Sequence, residues 1–426
     1  MIKYDTYKDS GIEWLGEIPV HWEVKRVKEI FNLVRGKFTH RPRNDQRMYN
    51  NGTFPFLQTG DVAKSSKYVL QYKQVLNENG IKVSRQFKKG TLVMTIAANI
   101  GDVALLGFDA YFPDSLVAFN TKHNINFYYY LLSVTKSELD TVKITNTQDN
   151  LNLERLNSLL KICPPLSEQT IIANYLDKKT TAIDQKINLL TKKTDKYKEL
   201  RKSLINQTVT DGLDKNTIWK TYRLKDIGQI YSGLSGKNGD DFKKEKDPNN
   251  RGFIPFTNIA NNTYLDVEHL SKVIISPTEN QNKVQKNDLF FLMSSEGYED
   301  IGKSAVLKED IPETYLNSFC KGFRITNTNV DAFFINYLLL SDDNRNKMVI
   351  QGKGFTRINL KIEKVNNFSI TIPSTKAEQT AIANYLDEKT STIDAIVSNI
   401  ERQINHLKEL RKTVINDVVT GKIKVI

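Results

Sequence analysis

The segment Glu168–Thr210 occurs again as Glu378–Thr420, at a constant offset of 210 residues and with about half of its positions identical. Each copy opens on a shared run, EQTIIANYLD at Glu168 and EQTAIANYLD at Glu378, and both carry KELRK, at Lys198 and at Lys408. Solenoid units repeat every 20 to 50 residues or so, and this period is far longer. Two whole modules in one chain are therefore predicted, with two equivalent surfaces. Such a molecule suits a target with two separated half-sites.

The repeated segments read as long helices. In the first, Ile183, Ile187, Leu190, Thr194, Tyr197, Leu200 and Leu204 recur at spacings of four and three. Ile393, Val397, Ile400, Ile404, Leu407, Leu410 and Val414 do the same in the second. That spacing is a coiled-coil seam. Prolines precede each start (Pro164 and Pro165; Pro373) and a glycine follows each end (Gly212; Gly421). Helix boundaries prefer this order. About 40 residues at 1.5 Å each give a rod of about 60 Å. The apolar stripe needs a partner, and the simplest is the other copy, packed antiparallel. Tyr175 and Tyr385 are expected to pack where each helix meets a globular segment.

Between these helices the chain is rich in Gly, Asn, aromatic and β-branched residues. Phe54–Leu57, Thr91–Ile96, Val103–Leu106, Ile254–Phe256, Asp288–Met293 and Phe368–Ile372 read as short strands, and Phe127–Ser133 and Phe333–Leu340 as short helices. The two globular segments also match faintly: Trp22 with Arg26–Ile30 parallels Trp219 with Arg223–Ile227, and FPF at Phe54 parallels IPF at Ile254. The predicted class is α+β, with two β-rich globular domains in tandem and two long helices paired as an antiparallel coiled coil. The expected boundaries are 1–163 for the first globular domain, 164–212 for the first helix, 213–372 for the second globular domain and 373–426 for the second helix and tail.

A formal net charge of +12 favours a polyanionic partner, most simply nucleic acid. Two cysteines, Cys163 and Cys320, give neither zinc spacing nor a disulfide framework. The polar start MIKYDTYKDSGIEW lacks a signal-type apolar core, and no apolar run approaches the roughly 20 residues of a membrane span. A cytoplasmic protein without membrane contact is expected.

DSGIEWLGEIPVHWEVKRVKEI near the start, FPFLQTGDV at Phe54, KGTLVMTIAANIGDVAL at Lys89 and NLNLERLNSLLKICPPLSEQTIIANYLD at Asn150–Asp177 resemble the specificity subunit of type I restriction-modification systems. The resemblance spans essentially the whole chain. It implies two target-recognition domains, each reading one half of a bipartite, asymmetric double-stranded DNA site, with the helices setting the gap. Two modification (methyltransferase) subunits and two restriction subunits would be partners. S-adenosylmethionine, ATP and magnesium would belong to those partners, leaving this chain non-catalytic and without a cofactor. Repeated polar positions off the seam, Asn174 with Asn384, and Glu199 and Arg201 with Glu409 and Arg411, would face the modification subunits.

The residues independently agree with that division of labour. Amino-methyltransferases need a catalytic loop of the NPPY or DPPF kind, and CPPL at Cys163 lacks both the polar first residue and the aromatic last one. One pattern, Gly297–Ser304, formally satisfies the phosphate-loop spacing G-x-x-x-x-G-K-S. Pro312 breaks the segment after it, Glu299 and Asp300 would oppose phosphate, and a surface turn is the expected outcome. A nucleotide-dependent nuclease or helicase fragment using this loop is one alternative. A basic coiled-coil scaffold indifferent to sequence is another.

Candidate DNA contacts follow from donor chemistry on presented loops. In the first head these are Arg35, Lys37, Arg41 and Arg43, then Gln58 and Thr59 after a strand, then Thr147 and Gln148. In the second they are Lys237, Lys244 and Arg251, then Asn258, Ser295, Lys353, Thr356 and Arg357. No metal site is predicted.

Overall fold

In the computed structural model, residues 2–136, 151–242 and 247–425 are described. They form two units, Met1–Leu190 with Arg402–Ile426, and Thr191–Glu401. Each unit holds one globular head, the first half of one long helix and the second half of the other.

The first head is built on a five-stranded sheet ordered Asn32–Arg35, Leu116–Asn120, Leu92–Thr95, Val103–Leu106 and Tyr68–Val69. Neighbours are antiparallel except for the last pair. The runs LVMT and VALL are buried throughout because the sheet is covered on both faces. Side chains alternate between the two cores. Leu92, Met94, Val103, Leu105, Val117 and Phe119 point to one, while Val93, Ala104, Leu106, Leu116 and Ala118 point to the other. A smaller sheet, Gln74–Leu76, Phe54–Phe56, Ala110–Tyr111 and Gln86–Phe87, completes the head.

The second head repeats this plan. Gly228–Ser232, Cys320–Ile325, Leu289–Leu292 and Ser304–Val306 form its main sheet. Ser271–Ile274, Asn250–Ile254 and Thr314–Leu316 form the smaller one. In both small sheets the pairing of the FPF or IPF strand with the strand that follows the main-sheet hairpin is parallel. One expected strand is shifted. Phe256 opens the helix Phe256–Asn261, and the strand lies before it. Its reason is Pro255, which sits at the helix N-cap with extended backbone, as the residue before a first helical turn does. In each head a two-stranded ribbon joins the chain's entry to its exit, Glu23–Arg26 with Leu160–Cys163 and Trp219–Arg223 with Ser369–Pro373.

The long helices run Leu166–Asp211 and Lys376–Val419. Their repeated motif is a docking device. Gln169, fully buried, donates from Nε2 to the Pro164 carbonyl at 2.7 Å and accepts from the Asn124 amide at 3.0 Å. Gln379 donates to the Pro373 carbonyl at 2.9 Å and accepts from the Asp331 amide at 2.8 Å. Asn124 and Asp331 are the N-caps of the head helices Ile125–Val134 and Ala332–Leu340. One glutamine thus fixes the start of each head helix against the long helix. Two turns on, Asp177 accepts from Tyr130 Oη at 2.6 Å and from Lys67, while Asp387 accepts from Tyr337 Oη at 2.8 Å, Lys308 at 3.0 Å and Tyr264. Tyr175 and Tyr385 pack against the head cores beside these bonds.

Within each unit the two helix halves run antiparallel. In the second unit Lys198 pairs with Glu401 at 3.1 Å and Arg201 with Asp394 at 2.9 Å, so numbers rise on one helix as they fall on the other. In the first, Arg411 pairs with Asp184 at 2.9 Å. Both arginines and both aspartates are related by the 210-residue offset. Ile393, Val397 and Ile400 are buried. Ile183, Ile187, Leu190, Tyr197, Leu204, Ile404, Leu407 and Val414 are half-buried. Leu200 and Leu410 are exposed, and this corrects their seam assignment. Strict four–three spacing from Tyr197 and Leu407 lands on Arg201 and Arg411, whose aliphatic stems lie at the seam while their heads meet aspartates.

Candidate nucleic-acid interface

The first head presents Arg35, Lys37, Arg41 and Arg43 as exposed side chains on the segment leaving the strand Asn32–Arg35. Carbonyls and carboxylates fix three of them. Arg35 Nε donates to the Asp114 carbonyl at 2.7 Å, Arg41 donates to the Phe38 and His40 carbonyls at 2.9 Å, and Arg43 pairs with the Asp114 carboxylate at 2.5 Å. A guanidinium has five N–H donors, so each held arginine keeps donors to spare for phosphate. Hydrogen bonds from Arg47, then His40, hold the Asp45 carboxyl well below the usual carboxylate range and tie the loop to itself.

Beside this loop opens a cavity of about 470 Å³. Phe38, Tyr49 and Phe56 form its floor, with Phe38 and Phe56 ring centres 5.1 Å apart. Gln58 stands at its edge as the N-cap of the short helix Thr59–Ala63, with its backbone N–H donating to Asp61 at 2.8 Å. Its Nε2 donates to Gln74 Oε1 at 2.9 Å. Thr59 is half-buried in the first turn of that helix. Gln74 went unpredicted because it is distant in sequence and reaches the site only through strand pairing.

In the second head several expected contacts prove structural. Lys237 is nearly buried and pairs with Glu279 at 2.6 Å, so its charge is spent inside the head. Asn258 is buried, donating to the Asp266 carbonyl at 2.8 Å and accepting from the Asp266 amide at 2.9 Å; it closes a loop rather than facing a groove. Ser295 is buried in the strand Ser294–Ser295 and accepts from the Gly297 amide at 3.3 Å. Arg251 is half-buried, bonded to Glu313 at 3.0 Å and to the Pro248 and Asn250 carbonyls. Lys353, Thr356 and Arg357 are exposed on one loop. There Arg357 lies over the Phe319 ring at 4.8 Å and Phe355 projects fully into solvent. Aromatics at such a site escaped the sequence reading, which weighed only polar donors. Thr147, Gln148 and Lys244 lie outside the described residues.

The phosphate-loop pattern does not form a nucleotide cradle. A strand, Ser304–Val306, follows it where the mechanism requires a helix. Lys303 is held by Asp300 at 2.6 Å and by the Ala260 carbonyl at 3.2 Å, and Ser304 donates to Asn336 at 2.8 Å inside the core. Gly302 adopts a positive φ of 68°, and a Cβ there would collide with Met348, so its glycine serves a packed turn. No group of His, Cys, Asp and Glu able to hold a metal occurs among the described residues. Burial pushes the Cys320 thiol up to about 12, an inert core thiol. No helix among them is long and apolar enough to cross a membrane.

On the long helices, Arg201 and Arg411 are taken up by the seam pairs and Glu409 accepts from Lys412 at 2.9 Å. Asn174, Asn384 and Glu199 are exposed.

Twin heads with presented basic loops, docked on a helix pair by duplicated residues, define a two-module recognition protein. The family model for the type I restriction modification DNA specificity domain matches residues 19–193 and again 216–406, and the chain belongs to that family. It is 27% identical to the type I restriction enzyme MjaIX specificity subunit of Methanocaldococcus jannaschii, over 100% of this chain and 99% of that one. Identity to the EcoKI specificity subunit of Escherichia coli K12 is 23%, over 69% and 66% of the two chains. A chain from a structure describing complex assembly and conformational transition of the type I R-M system superposes with a TM-score of 0.73 at 14% identity, covering 95% of this chain and 99% of that one. The HsdS subunit from Thermoanaerobacter tengcongensis gives 0.55, also at 14% identity, covering 95% and 98%.

Proposed function

We propose that this chain is the DNA-recognition subunit of a type I restriction-modification complex, each head reading one half of a bipartite, asymmetric site. The observation that carries the reading is the pairing of one repeated scaffold with two unlike loop surfaces. Strand order, docking glutamine, docking aspartate and seam arginine recur, while the exposed loops do not. The first head offers the Arg35–Arg43 segment and the amide-edged cavity; the second offers the loop bearing Lys353, Thr356 and Arg357. Adenine methylation and ATP-dependent cleavage would be carried by two modification and two restriction subunits, which bring S-adenosylmethionine, ATP and magnesium. The work would take place in the cytoplasm. The long helices act as the ruler between half-sites, with the domain limits at 163, 212 and 372.

Replacing the first head with that of a relative tests the reading. The motif selected from a random duplex pool should change in one half only, and a change in both halves would refute the assignment of one head to each half. Affinity should fall steeply with salt through counterion release while the selected motif persists.

A further inference from the structure

The cavity in the first head carries a more specific reading. No carboxylate lines it among the described residues. Its floor is three aromatic rings, and its rim carries Gln58, Gln74 and Lys73. The two glutamines are bonded to one another across strand and helix, Gln58 Nε2 to Gln74 Oε1 at 2.9 Å. That bond orients both amides and decides what each turns outward. Gln58 keeps its Oε1 acceptor and Gln74 its Nε2 donor. Gln58 is further fixed by its backbone bond to Asp61, and Gln74 by its place in the strand Gln74–Leu76.

We propose that this amide pair reads one adenine of the half-site assigned to the first head, the Gln58 oxygen accepting from the adenine N6 amino group and the Gln74 amide donating to N7. One acceptor beside one donor complements adenine. Guanine offers two acceptors in the major groove, and cytosine offers a donor alone. The absence of a lining carboxylate matters, because a carboxylate would favour cytosine. The adjacent arginines, held by Asp114 and by carbonyls, position the phosphate backbone. This inference rests on the function proposed above and adds the base and the residues that read it.

The test uses the full chain in its native complex, isolated from the host and incubated with a randomised duplex pool. Wild type should enrich a two-part motif with adenine fixed at the contacted position. Gln58→Ala and Gln74→Leu should each lower the adenine preference at that one position about tenfold or more, leaving the other half unchanged. Gln74→Glu, nearly the same size and on an exposed side chain, replaces the donor with an acceptor. It should move the preference toward cytosine, a change that a purely structural role would not produce. If wild type enriches no two-part motif, the function proposed above fails. If wild type enriches one and the three variants enrich the same motif within twofold at every position, the amide reading alone is overturned.

Discussion

Asp387 bears the joint between the second head and its long helix, and its removal should loosen that joint. Its carboxylate accepts from Tyr337 at 2.8 Å, Lys308 at 3.0 Å and Tyr264. Hydrogen bonds to a charged group are worth about 1.5–3 kcal/mol each, which would suggest a large total for three. Each is discounted. The Lys308 side chain is 57% exposed, so water replaces that partner and its share is near zero. Tyr337 keeps a second neighbour, Thr390 Oγ1 at 3.2 Å, which lowers its share to the bottom of the range. Tyr264 keeps Tyr337 as a hydrogen-bond neighbour, so its share also falls to the bottom of the range. Asp387→Ala should therefore destabilise the second unit by about 3 kcal/mol, and Asp387→Asn, which keeps an acceptor oxygen, by about half as much. The assay is urea unfolding of the full chain with hydrogen exchange read at the helix Ala332–Leu340. A cycle with Tyr337→Phe should show that the two losses are not additive. If Asp387→Ala unfolds within 0.5 kcal/mol or so of wild type and exchange at that helix is unchanged, the docking role is wrong.

Asp184→Ala should weaken the first helix pairing by no more than about 1 kcal/mol, because the Asp184 side chain is 48% exposed and water can take its place at Arg411, checked by thermal unfolding of the variant against wild type. Hydrogen bonds from Lys283, then Tyr315, and Arg251 hold the Glu313 carboxyl down to about 2, below its ordinary 4.5. Stability from it is present above pH 4.5 and is lost as pH falls toward 2, so Glu313→Gln should cost under about 1 kcal/mol near neutrality, given its exposure, and nothing below pH 2, as read from urea midpoints against pH. Phe355→Ala should leave stability within about 0.5 kcal/mol of wild type, since the ring is fully exposed, yet weaken duplex binding measured by titration.

Periodicity pointed to Ile393, Val397 and Ile400, which are buried, and to half-buried positions beside them, because spacing decides which side chains share a helix face. It misled at Leu200 and Leu410, where an apolar residue lies one position before the true seam site. Counting apolar residues picked leucine over arginine, although an arginine stem can occupy a seam whose rim offers an aspartate. The second head shows the other limit. Asn258 and Ser295 have the residue types of base readers, but their partners are loop amides and carbonyls, and only the folded chain reveals that those partners are within reach. Lys237 belongs with them: its partner Glu279 is 42 residues away in the chain. Gln74 is the reverse case, an unremarkable residue made interesting by the strand that brings it beside Gln58.

The unequal strength of the repeat follows from these contacts. Along the long helices several repeated positions hold either a head or the partner helix. Gln169 and Gln379 fix head-helix caps; Asp177 and Asp387 hold tyrosines; Asp184 with Arg411 and Asp394 with Arg201 align the antiparallel halves. Each of these contacts is made inside the chain, so the fold itself places a demand on the same position in both copies. The exposed loops are tied by local contacts of their own, which do not repeat between the heads. The Phe355 side chain is fully exposed, Lys353 is tied through its backbone to Asn359, Arg357 lies over Phe319, and in the first head Arg35 and Arg43 are held by Asp114. Residues that face outward are free to differ between heads, and two heads on one scaffold can thereby read two unlike half-sites without altering how either is held.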